Sequence, residues 1–356
     1  MSAQHRPPLR AGWRGLRFDR HLPREAVHKA ADAEVLLTDS ARLGEERFAV
    51  AALWDRDHHL GHRDAPAADP LLLAETVRQS AIHLAHRFHG STYGHPFVLN
   101  GLAVELDRPL PPAGPDGLDV GLDLDCRALA ARRPSPGRER FLLEGVAWAG
   151  QRPVGRVRLG WEVLAPERYA VLRRRSAAGA GDPEPQPPAL LPPDTARAGQ
   201  ARDVLLAADP ERADRWWLRP FEHHPVLYDH AVDHVPGMVL LEAFRQAAAL
   251  TALTALTALA GGGRAAGDGA ADREPRTLHV DFLAFGEPGS PIAVLAEPDP
   301  VPAPGPAPGP VPGFAPGAEG TVRLRAVQDG RPIAEARLRC AAGPVPGFAP
   351  GAEAGR

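Results

Sequence analysis

Apolar and polar residues alternate along several stretches of the chain. In 119–126 and 157–163 every second residue is apolar. Because successive side chains of a strand point to opposite faces of a sheet, this pattern predicts antiparallel strands with one buried face. Two longer segments, 71–88 and 238–259, are rich in Leu, Ala and Val over several helical turns. Their composition predicts two helices that are largely buried.

The predicted elements fall into two halves with the same order, β-β-α-β-β-β-β. Strands are predicted in the first half at 34–38, 47–54, 97–106, 119–126, 140–149 and 154–164, and in the second half at 203–207, 215–221, 276–285, 291–297, 321–327 and 333–340. Glu75 and Glu242 occupy matching helix positions, which indicates an internal duplication. A helix followed by a run of antiparallel strands is typical of a sheet wrapped around a central helix. We therefore predict an α+β fold of two such units. They pair within one chain as an internal pseudo-dimer, so the protein can be a monomer.

Proline and glycine mark the predicted domain boundaries, because they are concentrated in segments without a hydrophobic period. A Pro-rich linker at 173–200 separates a first domain at 25–172 from a second domain at 201–340. The second domain contains a Pro/Gly-rich insertion at 298–320, and we expect a disordered tail at 341–356.

Charge and cysteine content exclude several classes of partner. The net charge of −3 at pH 7 argues against nucleic acid and anionic membranes, which attract proteins with a basic excess. The longest run of small apolar residues is shorter than a membrane span, and the N-terminus lacks a secretory signal, so we expect a cytoplasmic protein. The two cysteines form no CxxC motif, and we predict neither a metal site nor a cofactor.

The two predicted helices share a polar motif, E-x-x-R-Q, within otherwise apolar sequence. Its members are Glu75, Arg78 and Gln79 in the first helix and Glu242, Arg245 and Gln246 in the second. Residues three and four positions apart lie on one face of a helix, so each motif forms a polar stripe. Such a stripe either meets solvent as an ordinary ion pair or lies in a pocket. Its occurrence in both halves favours the pocket, although common descent also accounts for it.

Histidines and a Pro-Gly pair precede the helices. Pro236 and Gly237 predict a tight turn whose free N–H groups at the helix start suit a carbonyl oxygen or oxyanion. His230 and His234 lie just before this turn, and we expect them to orient substrate or to act as acid or base. We interpret His59, His62 and His223 as surface histidines.

Several familiar catalytic motifs do not occur in the sequence. It contains no GxSxG nucleophile elbow, no Walker A loop and no GxGxxG after a strand. A covalent acyl-enzyme is therefore not favoured.

The segment 236–246, PGMVLLEAFRQ, resembles the central-helix motif of hotdog-fold acyl dehydratases and thioesterases. Over most of its length the chain resembles one branch more closely, the A-factor biosynthesis hotdog (AfsA-like) family. The segments that carry the resemblance are 27–39, 69–86, 94–100 and 229–248. The resemblance implies a tandem hotdog fold, in which each half is an antiparallel sheet wrapped around its helix.

The resemblance also implies a function, the synthesis of γ-butyrolactone signalling molecules. Such an acyltransferase condenses a β-ketoacyl thioester, carried on acyl carrier protein, with the hydroxyl of dihydroxyacetone phosphate, and the ester then cyclises to a butenolide. Two alternatives stay open: a hotdog thioesterase or dehydratase, and a non-catalytic acyl-binding regulatory protein. The catalytic residues implied are Glu75, Glu242 and Arg245.

The reaction requires a base, an oxyanion donor and a cation. We expect Glu242 or Glu75 to be the base, with a pKa raised by an apolar pocket. The N–H of Gly237 suits the oxyanion. Because the chain has a single lysine, we expect an arginine, Arg78 or Arg245, to bind phosphate. Further substrate-binding candidates are Gln79, Gln246, His230 and His234.

Overall fold

A computed structural model describes residues 13, 15–61, 67–130, 136–177, 189–192, 200–259, 275–299 and 320–340. Most of the predicted insertion at 298–320, the predicted tail at 341–356 and His62 lie outside these residues. Within them the chain forms one antiparallel sheet of 12 strands that surrounds two long helices.

The first half begins with strands β1 (Leu37–Arg42) and β2 (Arg47–Trp54) and continues into helix α1 (Pro70–His89). Four strands follow: β3 (Phe97–Leu106), β4 (Leu118–Ala128), β5 (Arg138–Ala149) and β6 (Arg152–Leu164). Helix α1 starts at the expected place because Asp69 caps it, accepting a hydrogen bond of 2.9 Å from the N–H of Leu71. The helix ends at His89 and is followed by its cap Gly90, whose φ of 72° is left-handed.

The second half repeats this order after helix α2 (Pro166–Ala177). It consists of β7 (Leu206–Ala208), β8 (Arg215–Leu218), helix α3 (Gly237–Leu259), β9 (Pro275–Phe282), β10 (Ala293–Pro298), β11 (Gly320–Gln328) and β12 (Arg331–Cys340). The predicted β-β-α-β-β-β-β order of both halves is confirmed.

The strand order shows how the halves pair. It runs β1-β2-β4-β5-β6-β3-β9-β12-β11-β10-β8-β7, so the second half mirrors the first about the junction of β3 and β9. At this junction Ala103 lies opposite His279 and Glu105 opposite Thr277. Two copies of one unit therefore share a continuous sheet, and the predicted tandem hotdog fold is confirmed.

The first strand of each half begins later than predicted. A 3-10 turn at Asp32–Glu34 precedes β1, and one at Ala201–Asp203 precedes β7. The strands were predicted to start at Glu34 and Asp203 because apolar runs follow these residues. Each is instead the last residue of its turn, and its carbonyl accepts a hydrogen bond from a glutamine side chain, as described below.

Helix α2 was not predicted, and it extends into the segment expected to be a linker. Arg173 of α2 contacts both Glu287, at 2.6 and 2.8 Å, and Asp233, at 3.0 Å. These contacts fix α2 against the second half, beside the start of α3. Among the described residues no helix is long and apolar enough to cross a membrane.

Candidate active site

A cavity of about 1340 Å³ is lined by residues from both halves of the chain. The first half contributes Lys29, His59 and Arg78, and the second half contributes Asp229, His230 and Gly237. Apolar side chains line much of the remaining wall, among them Ile82, Leu99, Trp161, Met238 and Phe282. The cavity thus combines a polar group with an apolar wall.

The first polar stripe lies at this cavity. Glu75 is fully buried and accepts two hydrogen bonds of 2.8 Å from Nε and Nη2 of Arg78. Among the described residues no hydrogen bond engages Nη1 of Arg78. Arg78 lines the cavity and Glu75 lies behind it, so the carboxylate holds the guanidinium in place with donors to spare.

Gln79 has a structural task that explains its presence beside Arg78. Its Oε1 accepts a hydrogen bond of 2.9 Å from the N–H of Leu36, and its Nε2 donates to the carbonyl of Glu34 at 2.7 Å. The same Nε2 lies 2.9 Å from Oε1 of Glu75. Both ends of the amide are therefore engaged within the protein, and Gln79 holds the chain entering β1 against α1.

Lys29 brings a second cation to Glu75. Its Nζ lies 3.2 Å from Oε1 of Glu75 and 3.7 Å from Oδ1 of Asp229, and its side chain is only 4% exposed. It follows a 3-10 turn, Arg24–Val27, that ends at His28 in the left-handed conformation. The single lysine of the chain is thus buried at the junction of a helix from one half and a loop from the other.

Asp229 and His230 form a carboxylate–imidazole pair on that loop. Nδ1 of His230 lies 2.6 Å from Oδ1 of Asp229, and the backbone N–H of Ala30 donates to Oδ2 of Asp229 at 3.1 Å. Asp229 is buried, whereas the ring of His230 is 45% exposed. The carboxylate fixes the ring through Nδ1, and among the described residues Nε2 of His230 makes no hydrogen bond.

The pKa of Glu75 lies well below its usual range. Burial favours the neutral acid, but the positive charges of Arg78 and Lys29 outweigh it. In the second stripe burial again favours the neutral acid, but the charge of Arg245 outweighs this effect, so the pKa of Glu242 is also lowered. The prediction of a raised pKa on either glutamate is therefore wrong, because each is buried together with its own arginine.

The second stripe repeats the first without reaching the cavity. Arg245 donates to Glu242 at 2.8 and 2.6 Å, and both side chains are buried. Gln246 binds the backbone at Leu205 and Asp203, at 3.1 and 2.7 Å, as Gln79 does in the first half. Gln246, Glu242 and Arg245 are all absent from the cavity wall formed by the described residues.

A histidine–aspartate pair from the first half lies near the second stripe. Nε2 of His58 lies 3.0 Å from Oδ2 of Asp69, the cap of α1, and both are buried. Burial raises the pKa of Asp69, but the charges of His58 and Arg245 outweigh it, so the pKa lies well below its usual range. The pKa of Glu242 responds in turn to His58 and Asp69. The second stripe therefore belongs to a closed cluster of charges between the halves.

The remaining predicted site residues lie along the cavity. Gly237 is the first residue of α3, and a Cβ there would lie 3.2 Å from the ring of Phe282. His234 is partly exposed and pairs with Asp233, at 2.8 Å from Nδ1 to Oδ1. Within the described part of the chain, no group of three or more His, Cys, Asp or Glu side chains is arranged to hold a metal ion.

His59 was interpreted as a surface histidine, and this is wrong. It is 1% exposed and lines the cavity. The loop between β2 and α1 turns inward here because Asp69 accepts from the N–H of His59 at 3.4 Å while capping α1. His223, in contrast, is exposed as expected.

A family model for the A-factor biosynthesis hotdog domain matches residues 14–165 and 181–343. The chain belongs to the A-factor biosynthesis hotdog family. Among its relatives, a 2-oxo-3-(phosphooxy)propyl 3-oxoalkanoate synthase of Streptomyces virginiae is 34% identical over 279 residues, covering 78% of this chain and 88% of the relative. The synthase of the same name from Streptomyces griseus is 32% identical, covering 75% and 82%.

Solved structures with a similar fold include a 12:0-ACP thioesterase from Umbellularia californica. It is 10% identical, with a TM-score of 0.42, and the match covers 82% of this chain and 93% of that one. The strand order and the A-factor family model together establish the fold of this chain.

Sequence reasoning missed Lys29, His59 and Asp229 as residues of the cavity. Lys29 carries one signal in the sequence, since it is the only lysine among 41 basic residues. A chain that uses arginine everywhere else retains lysine where the cation is buried between two carboxylates. Nothing in the local pattern distinguishes His59 from His62 or His223.

Proposed function

We propose that this chain is a 2-oxo-3-(phosphooxy)propyl 3-oxoalkanoate synthase. It joins a β-ketoacyl group, delivered as a thioester of acyl carrier protein, to the hydroxyl of dihydroxyacetone phosphate in the cytoplasm. The observation that carries the proposal is the meeting of two cations from the first half with a carboxylate–imidazole pair from the second half in one cavity. The synthase name of the relatives supports the same reaction.

Arg78 and Lys29 bind the phosphate of the acceptor. Both line the cavity, and Glu75 fixes both, so little side-chain freedom is lost when the phosphate binds. Arg78 offers Nη1 and the planar fork that suits phosphate oxygens, and Lys29 adds a point charge. In this proposal Glu75 is a positioning residue rather than the base.

His230 takes the proton of the acceptor hydroxyl. Asp229 orients the ring through Nδ1, so that Nε2 accepts the proton while the hydroxyl oxygen attacks the thioester carbonyl. A tetrahedral intermediate forms, the C–S bond breaks, and the proton passes from His230 to the leaving thiolate. The products are the phosphorylated β-ketoacyl ester and the free thiol of the carrier.

The apolar part of the wall receives the acyl chain, and the start of α3 supports the carbonyl. Ile82, Leu99 and Phe282 lie there with Gly237. The backbone N–H groups in the first turn of a helix have no partner within the helix and favour negative charge. Gly237 lets the acyl carbonyl approach the backbone, since it has no side chain there. A side chain at this position would also meet Phe282.

The test compares thioester loss with and without the acceptor. We expect the purified protein to release thiol from a β-ketoacyl carrier thioester only when dihydroxyacetone phosphate is present, with the phosphorylated ester identified by mass spectrometry. Equal thiol release without the acceptor would indicate a thioesterase instead. Retention of the acyl group with no release in either reaction would indicate a binding protein.

A further inference from the structure

His59 is a buried imidazole whose polar atoms have no partner among the residues that the structure describes. The residue is 1% exposed, and within those residues neither Nδ1 nor Nε2 makes a hydrogen bond. An unpaired buried polar atom is costly, and most such atoms in folded proteins are bonded. His59 also lines the cavity that holds Lys29 and Arg78. Within the described part of the chain, the wall of this cavity thus contains a side chain that makes no hydrogen bond.

The surroundings of His59 keep it uncharged. Burial lowers the pKa of His59 to about 3. The charge of Glu75 acts in the opposite direction and raises the pKa, whereas Arg56 and Lys29 lower it. Asp69, at the cap of α1, also acts on the ring and raises the pKa of His59. A neutral imidazole donates one hydrogen bond without gaining a proton, and such a donor can polarise a carbonyl group.

We propose that His59 is an uncharged donor to the thioester carbonyl oxygen, which becomes an oxyanion when the acceptor attacks. This rests on the acyl transfer proposed above, and it adds a side-chain donor from the first half to the backbone donor from the second half, Gly237. His59 makes no covalent bond and takes no proton. It stabilises the negative charge that passes from the acceptor oxygen to the carbonyl oxygen and then to the thiolate.

Two substitutions of His59 separate hydrogen-bond donation by its ring from other roles of the residue. His59→Leu removes the donor at similar volume, and His59→Gln retains an N–H group. His83→Leu is the matched control, since His83 is also a buried imidazole on the first half, with its pKa lowered by burial to about 4, and lies away from the cavity wall. The substrates are a 3-oxooctanoyl thioester of N-acetylcysteamine and dihydroxyacetone phosphate, and the rate is that of thiol release.

We expect His59→Leu to lower kcat by about 10²–10³-fold, as removal of one oxyanion donor does. KM for the acceptor should change less than threefold. His59→Gln should keep kcat within about tenfold of the original and leave the shape of the pH–rate profile between pH 6 and 9 unchanged. His83→Leu should keep kcat within threefold. Because His59→Leu removes unpaired polar atoms, we expect it to fold with a higher urea midpoint.

Four results would overturn the assignment of His59. They are a kcat for His59→Leu within threefold of the original, equal losses of kcat in both His59 variants, an effect confined to KM, or the loss of one limb of the pH profile in His59→Gln. If the unmodified protein releases thiol without the acceptor, the proposed synthase function fails. The His59 comparison is then made on that hydrolysis, which forms the same oxyanion and should show the same ratios of kcat.

Discussion

Glu242→Gln and Glu75→Gln test whether the two polar stripes have different tasks. Arg245 is 3% exposed and makes two charge-assisted bonds to Glu242. Removing one partner of a buried ion pair leaves an uncompensated charge and costs about 3–5 kcal/mol. Glutamine retains one oxygen that can accept a bond, so we expect a loss near 3 kcal/mol for Glu242→Gln. With a urea m-value of about 3 kcal/mol/M, the unfolding midpoint falls by about 1 M.

The activity of the two variants should differ while their stability losses are alike. Glu242→Gln should retain acceptor-dependent thiol release within threefold per folded molecule, because neither Glu242 nor its partner Arg245 belongs to the described cavity wall, whereas Arg78 and Lys29, the partners of Glu75, do. Glu75→Gln should lose about 100-fold in kcat/KM, since Lys29 and Arg78 lose the carboxylate that fixes them. Urea unfolding monitored by tryptophan fluorescence and steady-state kinetics on the same samples give both quantities. A Glu242→Gln protein with an unchanged midpoint and 100-fold lower activity would refute this division.

Three further predictions concern single contacts. Lys29→Met should raise KM for dihydroxyacetone phosphate about 10–100-fold with little change in kcat, because one hydrogen bond to a charged group contributes about 1.5–3 kcal/mol; an unchanged KM in steady-state kinetics would contradict the phosphate role. Folded His59 has a pKa of about 3, while an unfolded histidine titrates near 6.5, so the unfolded chain binds more protons below pH 6.5. Stability should therefore fall as pH is lowered, by about 2 kcal/mol from this residue between pH 7.5 and 5, and calorimetry should find a smaller fall in His59→Leu. Gln79→Leu should destabilise the protein by about 2–4 kcal/mol, because the backbone groups of Leu36 and Glu34 lose their partner; hydrogen exchange at the N–H of Leu36 should accelerate, and unchanged protection would show that another group satisfies it.

The architecture was predictable because its signals are local and occur twice. Alternation with a period of two marked strands such as 119–126, and the buried helices appeared as long apolar runs with one polar stripe each. The predicted strands at 34–38 and 203–207 begin too early, because the carbonyls of Glu34 and Asp203 accept from the side chains of Gln79 and Gln246, about 40 residues away, instead of from a neighbouring strand. Side-chain caps of this kind leave no periodic pattern.

The residues that line the cavity were harder to predict, because their position depends on contacts between distant segments. Glu75 meets Lys29 from the N-terminal segment and, through it, Asp229 from the other half of the chain. The E-x-x-R-Q motif marks the helix residues that the two halves share. It does not mark what differs between them, since duplication makes the halves look equivalent while the cavity is formed at only one of the two stripes within the described residues.

The mirror arrangement about β3 and β9 has a genetic consequence. In a dimer of identical subunits every substitution occurs twice, so one site cannot change without its twin. Here both units are encoded in one reading frame, and a mutation reaches one of them. The two stripes can therefore differ, and they do: Glu242 lies in a buried cluster near His58 and Asp69, whereas Glu75 contacts Lys29, which also lies near Asp229. One unit can thus change its stripe while the other keeps its own.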